Sequence, residues 1–229
     1  MSWPSAHETA EREDDREVKR YIAHTSACSG WDLDSILRPT MFQKSGRTWR
    51  FPEDEHVAML DWDFRRVAKR GFQDTWDRHL TLAQENDFDV VMAPDLFSRS
   101  EYRERIRQYD RLESCSRRVV LPVHIAPDDN GLELAWPMGV WTRDYVSVWD
   151  VQDQVTHLLG GSPHAQLRMA GYFPNLKTID GNQAFWCAVH FGRVWSGHWV
   201  TPEYPRPTNE ECLRQTLLNI TRAWQVAKK

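Results

Sequence analysis

Asp61, Asp95 and Asp180 stand far apart along the chain, yet each closes a short apolar run: VAMLD at 57–61, VVMAPD at 90–95 and LKTID at 176–180. A carboxylate at the end of a strand is held by a rigid element. Two carboxylates facing one substrate can divide the labour of a displacement, one as nucleophile and one as general acid/base. A third can accept hydrogen bonds from the amino and imino donors of a purine edge. Loop chemistry offers each aspartate another use, as a helix cap or Asx turn. Three at comparable sites weaken that alternative without removing it. Asp63 lies close enough to Asp61 to compete for its role.

Other residue groups carry weaker signals. Gly160-Gly161-Ser162-Pro163 opens a helix, where backbone N–H groups bind anions. It lacks the Lys-Ser/Thr of a Walker loop, so a tight βα turn is the expected reading. Arg65, Arg66, Lys69 and Arg70 form a basic cluster just after Asp61, suited to nucleic-acid phosphates. Arg99, Arg103, Arg105, Arg107 and Arg111 alternate with Glu101, Glu104, Asp110 and Glu113, the pattern of an ion-paired solvated helix. Phe185, Trp186, Phe191, Trp195, His198 and Trp199 alternate in a way that suggests a strand core. His124 follows VVLPV and is read as a structural histidine that could also reach a substrate. Cys187, His190, His198 and Cys212 fit no standard zinc spacing, so neither metal nor cofactor is expected.

The elements that must position these residues follow a rhythm of strand, loop and helix. Strands are expected over 19–26, 57–64, 89–94, 118–125, 154–159 and 176–179. Pro122 demotes the fourth toward an irregular or edge element. Helices are expected over 32–41, 76–86, 100–113, 164–172 and from Thr208 to about 227, the last opened by a Thr208/Glu211 capping box. Trp76, His79, Leu80 and Ala83 share one face of the second helix. Residues 128–149 give no clear pattern beyond a turn at 129–131. Strands alternating with helices imply parallel pairing with crossovers, and polar residues at the strand ends then share one face. The expected fold is a compact or incomplete TIM-like (β/α)8 barrel spanning 18–229, preceded by a disordered polar tail at 1–17.

Composition agrees with one globular domain of 229 residues, 41% hydrophobic and 27% charged, long enough to bury a core without staples. No run approaches the roughly 20 apolar residues of a membrane span. The polar N-terminal stretch lacks the apolar centre of a signal peptide, so a cytoplasmic protein is expected. A net charge of −4 argues against a simple DNA-binding module, though not against an enzyme with a local basic groove. Twelve tryptophans exceed the usual share, so some are expected on stacking surfaces as well as in the core. Oligomeric state is not legible.

The segment QVTHLLGGSPHAQLRMAGYFPNLKTIDGN at 154–182 resembles the part of tRNA-guanine transglycosylases that runs from a strand through a Gly-rich turn and helix to the nucleophilic aspartate. DVVMAPDLF at 89–97 resembles that superfamily's strand with the base-recognising aspartate, and VAMLDWDF at 57–64 its strand with the acid/base aspartate. The order along the chain agrees. The resemblance is nearest to the phage and bacterial enzymes that insert 7-deazaguanines into DNA. It implies Asp180 as nucleophile, Asp61 as acid/base and Asp95 as reader of the base. It also implies a substrate pocket with His124, Gly160, Gly161, Ser162 and Asn182, and DNA rather than tRNA as partner, because the clustered zinc ligands of the tRNA enzymes are missing. The Gln-Gly-Gly expected after the middle strand is also missing. Two alternatives stay open: an N-glycosidase or nucleoside hydrolase using the same carboxylates, and a non-catalytic nucleic-acid-binding protein.

Overall fold

The computed structural model describes residues 19–23, 33–38, 40, 42–47, 58–128, 131–139 and 146–227; the expected tail at 1–17 lies outside them. Eight short parallel strands pair in chain order and the last closes on the first: β1 Lys19–Ala23, β2 Phe42–Arg47, β3 Met59–Asp61, β4 Val90–Met92, β5 Val119–Pro122, β6 Leu134–Pro137, β7 Val155–Leu159 and β8 Thr178–Asp180. The barrel is thus complete. Closure is made by β8, whose three residues pair with β7 (Leu159↔Asp180) and with β1 (Tyr21↔Asp180). The middle strands are buried along their whole length, as β4 (VVM) and β5 (VVLP) illustrate. That is the pattern of parallel strands covered on both faces.

Helices cover the outside: α1 Leu33–Leu37, α2 Phe64–Arg70, α3 Phe72–Glu85, α4 Tyr102–Glu113, α5 Val148–Val151, α6 Pro163–Ala170, α7 Gln183–Phe191 and α8 Asn209–Ala227. A two-stranded antiparallel pair, β9 Val194–Trp195 and β10 Trp199–Val200, lies between α7 and α8. The expected capping box opens α8: Thr208 Oγ1 accepts from Glu211 N at 3.2 Å, and Glu211 Oε2 accepts from Thr208 N at 2.6 Å. Two such bonds satisfy orphan donors of the first turn. Among the described residues no helix is long and apolar enough to cross a membrane.

Three expectations need correction. Residues 183–191 form helix α7, so the aromatic alternation that suggested a strand core is helical over Phe185, Trp186 and Phe191. Phe185 is buried, while Trp186 and Phe191 face outward. Pro122 does not weaken β5, because it is the last strand residue and the barrel has no edge there. Strands β2 and β6 were not anticipated. β2 reads FQKSGR, with little β-branched or apolar signal, and β6 reads LAWP inside a stretch without periodicity. Five described tryptophans (Trp62, Trp76, Trp136, Trp195 and Trp224) are buried, whereas Trp149 and Trp186 are exposed.

The expected face of α3 packs on the barrel through Trp76, His79, Leu80 and Ala83. His79 is fully buried, and its Nε2 donates to the Met92 carbonyl at 2.8 Å. Burial pushes its pKa down to about 4 from 6.5, so the ring is neutral in the fold and charged in the unfolded chain below 6.5. The depressed folded value means stability is full above pH 6.5 and is lost as pH falls toward 4. Denaturation followed between pH 7 and pH 4 should show a loss from this site of about 3 kcal/mol. The His79→Gln variant should have a flatter pH profile than the parent.

Candidate active site

The C-terminal ends of the strands surround a cavity of about 520 Å³, a size suited to a small organic ligand. Asp61 ends β3, Asp95 follows β4 and Asp180 ends β8, and all three line this one cavity. Gly160, Gly161, Ser162 and Asn182 line it too. Six further wall residues were not anticipated: Trp62, Phe64, Pro122, Leu159, Gly181 and Gln183. None carries a chemical signature of its own in the sequence.

Asp61 and Asp63 separate cleanly. Asp63 is fully buried and caps α2, its Oδ1 accepting from Arg66 N at 3.0 Å. It does not line the cavity; Asp61 does.

Asp180 is held on one side only. Its Oδ1 accepts from Gly160 N at 2.9 Å and faces His157 Nε2 at 3.3 Å. Among the described residues no donor meets Oδ2. Gln166 ties the strand end to the Gly-Gly turn, its Nε2 donating to Gly160 O at 2.7 Å and to Asp180 O at 2.6 Å. The turn is therefore a tight βα connection that fixes a carboxylate. Ser162 caps α6, its Oγ accepting from Ala165 N at 3.1 Å.

His157 is fully buried and was not singled out by sequence, although a ring nitrogen base within the apolar run VTHLL is a detectable signal. A carboxylate only accepts, so of the two neutral tautomers the one with the proton on Nε2 satisfies Asp180. Nδ1 must then accept, and Thr178 Oγ1 lies 2.8 Å away to donate. Thr178 Oγ1 in turn accepts from Arg118 Nη1 at 3.0 Å. Arg118 also bonds Thr156 Oγ1 at 2.7 Å and pairs with Glu133. Burial opposes ionisation of Glu133, yet Arg118 and Lys177 hold its carboxyl below the usual range. A continuous polar chain thus runs from the far end of the barrel to Asp180.

Asp95 is nearly inaccessible. Its Oδ1 lies 3.0 Å from His124 Nε2, and Arg105 Nε donates to its backbone carbonyl at 2.9 Å. Its Oδ2 is buried with no hydrogen-bond partner. Burial pushes the Asp95 carboxyl up, and the contact with His124 only partly offsets this. His124 does not line the cavity itself. It stacks on Phe97 with centroids 4.3 Å apart and orients Asp95. The charged helix α4 is ion-paired as expected, by Arg105 with Glu101 and Arg107 with Glu104. Arg105, however, is buried rather than solvated.

In the basic cluster, Arg65, Lys69 and Arg70 are exposed on α2, while Arg66 is engaged by Asp74 at 2.7 Å. Cys187 and Cys212 sit on α7 and α8. Among the described residues no three His, Cys, Asp or Glu side chains gather to hold a metal ion.

Fold and site together define a (β/α)8-barrel protein with a three-carboxylate cavity at the C-terminal ends of its strands. The chain belongs to the DUF6610 family, a family of unknown function whose model matches residues 37–225. No curated protein matches it. Among solved structures it is similar to a provisionally assigned fructose-1,6-biphosphate aldolase from Coccidioides immitis. The TM-score is 0.47 and the identity 12%, over 96% of this chain and 92% of that one. At that distance the likeness says nothing of substrate or reaction.

Two measurements check this geometry. Gly160 and Gly161 have φ of +74° and +85°, and a Cβ on Gly161 would lie 2.7 Å from Met138 Cβ, whereas one on Gly160 meets nothing. Gly160→Ala should cost about 1–2 kcal/mol from backbone strain alone, and Gly161→Ala more, by urea denaturation. Nitrogen-15 NMR should show His157 with a bare Nδ1; a protonated Nδ1 in a neutral ring would reverse the chain of hydrogen bonds.

Proposed function

We propose that the protein is a transglycosylase that exchanges guanine in DNA for a 7-deazaguanine base through a covalent glycosyl-aspartate intermediate. One observation carries the reading: the three aspartates in the segments that resemble guanine transglycosylases line a single cavity, and one of them holds a buried oxygen without a partner.

The target nucleotide is taken from a single strand or flipped out of a duplex. Asp95 accepts from the N1–H and 2-amino group of guanine. His124 already occupies its Oδ1, so the orphan Oδ2 is the acceptor left for the base. Asp180 attacks C1′ through Oδ2. The C1′–N9 bond breaks, its electron pair leaves with the base, and Asp61 supplies the proton. The incoming 7-deazaguanine gives its N9 proton back to Asp61. Its N9 then attacks C1′ and releases Asp180. Two inversions give retention, as in retaining glycosidases. The Gly160 N–H and His157 keep Oδ1 of Asp180 engaged, so the nucleophilic oxygen is the one with no competing donor. Exposed Arg65, Lys69 and Arg70 stand on the helix that follows Asp61 and suit phosphate contacts. DNA is preferred over tRNA on the resemblance. Action inside the cell follows from a nucleic-acid substrate.

Nucleoside mass spectrometry of DNA incubated with protein and a 7-deazaguanine tests the reading. Incorporation and a denaturation-resistant protein–DNA adduct are expected. Asp180→Asn should lose both, and Asp61→Asn should slow exchange about 100-fold or more. Full exchange by Asp180→Asn would end the proposal; free guanine without incorporation would replace it by a hydrolase. Guanine binding needs Asp95 ionised, and its carboxyl is raised from 3.8. Binding should therefore weaken on acidification at a higher pH than an ordinary aspartate would impose.

A further inference from the structure

A second cavity of about 580 Å³ lies between the end of β6, α5 and α6. Its walls include Trp136, Met138, Trp149, Arg168 and Tyr172. The Trp149 and Tyr172 rings meet edge to face with centroids 6.1 Å apart, and they are 68% and 43% exposed. Large aromatic rings left open to water cost hydration free energy unless something covers them. Arg168 is exposed and, among the described residues, meets no carboxylate. Asp150 and Asp153 do not line the cavity.

The second cavity adjoins the first. Gly161 lines the active-site cavity and Met138 lines the second, and a Cβ on Gly161 would lie 2.7 Å from Met138 Cβ. The Gly161 backbone and the Met138 side chain thus stand in contact between the two cavities.

We propose that the second cavity is a subsite for the nucleotide adjacent to the one held by the three aspartates, with its base against Trp149 and Tyr172 and its phosphate at Arg168. This rests on the reading of a nucleic-acid substrate, not on the exchange chemistry. Three features select this occupant: contact with the aspartate cavity through Gly161 and Met138, aromatic walls that accept any base face, and a cation at the wall that meets no carboxylate among the described residues. An uncharged apolar ligand would leave Arg168 without a role.

The test uses a single-stranded trinucleotide with central deoxyguanosine and the fluorescent base 2-aminopurine on its 5′ or its 3′ side. Binding to the full chain should quench one of the two probes. Trp149→Ala should abolish that quenching and weaken trinucleotide binding about tenfold. Arg168→Ala should weaken it as well, less so at high salt. Binding of free deoxyguanosine should be unchanged in both variants. Trp149 is exposed, so its removal leaves the fold intact, which a thermal melt checks. Unchanged trinucleotide affinity in both variants, or no trinucleotide binding by the parent, would overturn the subsite. Base exchange measured on the parent separates the two ideas. If the parent binds the trinucleotide with the expected dependence on Trp149 but exchanges no base, the subsite stands and the transglycosylase reading falls.

Discussion

Barrel closure rests on three residues. Thr178, Ile179 and Asp180 pair with β7 on one side and with β1 on the other. No other strand is both so short and the joint of the ring's two ends. The constraint reaches the chemistry directly, because the last residue of this joint is the carboxylate at the cavity. Asp180 cannot shift along the sheet without breaking registers on both sides. Its side chain is then held by the Gly160 N–H and His157, and its carbonyl by Gln166. Backbone pairing sets where the carboxylate starts, and the polar chain through Thr178 and Arg118 sets how it is turned. Such precision is what the proposed displacement would demand of Asp180.

The three carboxylates share a cavity but not an environment. Asp180 has one oxygen saturated by donors. Asp95 sits in a dry wall, supported by His124 and by Arg105 behind it. Asp61 is only partly covered, at the rim between Trp62 and the basic helix α2. Burial raises the Asp95 carboxyl. The unlike surroundings of Asp180 and Asp95 come from ordinary parts: a βα turn and two histidines.

The legible parts of the sequence were those with strong local physics. VVM and VTHLL are short apolar runs bounded by turn residues, the pattern of buried strands, and the Thr208/Glu211 box marks a helix start without tertiary help. The aspartates were visible because polar residues at the ends of such runs are unusual. β2 and β6 were not visible, since FQKSGR and LAWP draw their strand character from neighbours on both sides rather than from periodicity. Helix α7 misled because FWCAVHF is apolar nearly all round, so helical and strand periods fit it equally. His157 and Arg118 escaped notice for a related reason. Their role is defined by what they touch across the barrel, and sequence spacing carries no trace of Thr178 meeting both.

The strongest argument that this cavity receives a ligand lies in what the fold leaves undone. A buried acceptor without a partner costs about 1–3 kcal/mol. Tyr21 Oη, Asp63 Oδ2, His79 Nδ1 and Trp224 Nε1 also lack partners, but those residues line neither cavity. Asp95 Oδ2 differs because a ligand can reach its surroundings. Its carbonyl and its other carboxylate oxygen are both satisfied, and the imidazole beside it stacks on Phe97, so the surrounding structure is not loosely packed. A protein selected only for stability would have no reason to keep an aspartate there, where asparagine or leucine avoids the buried charge. Retaining a carboxylate in that wall makes physical sense when an incoming molecule brings the missing donor to Oδ2.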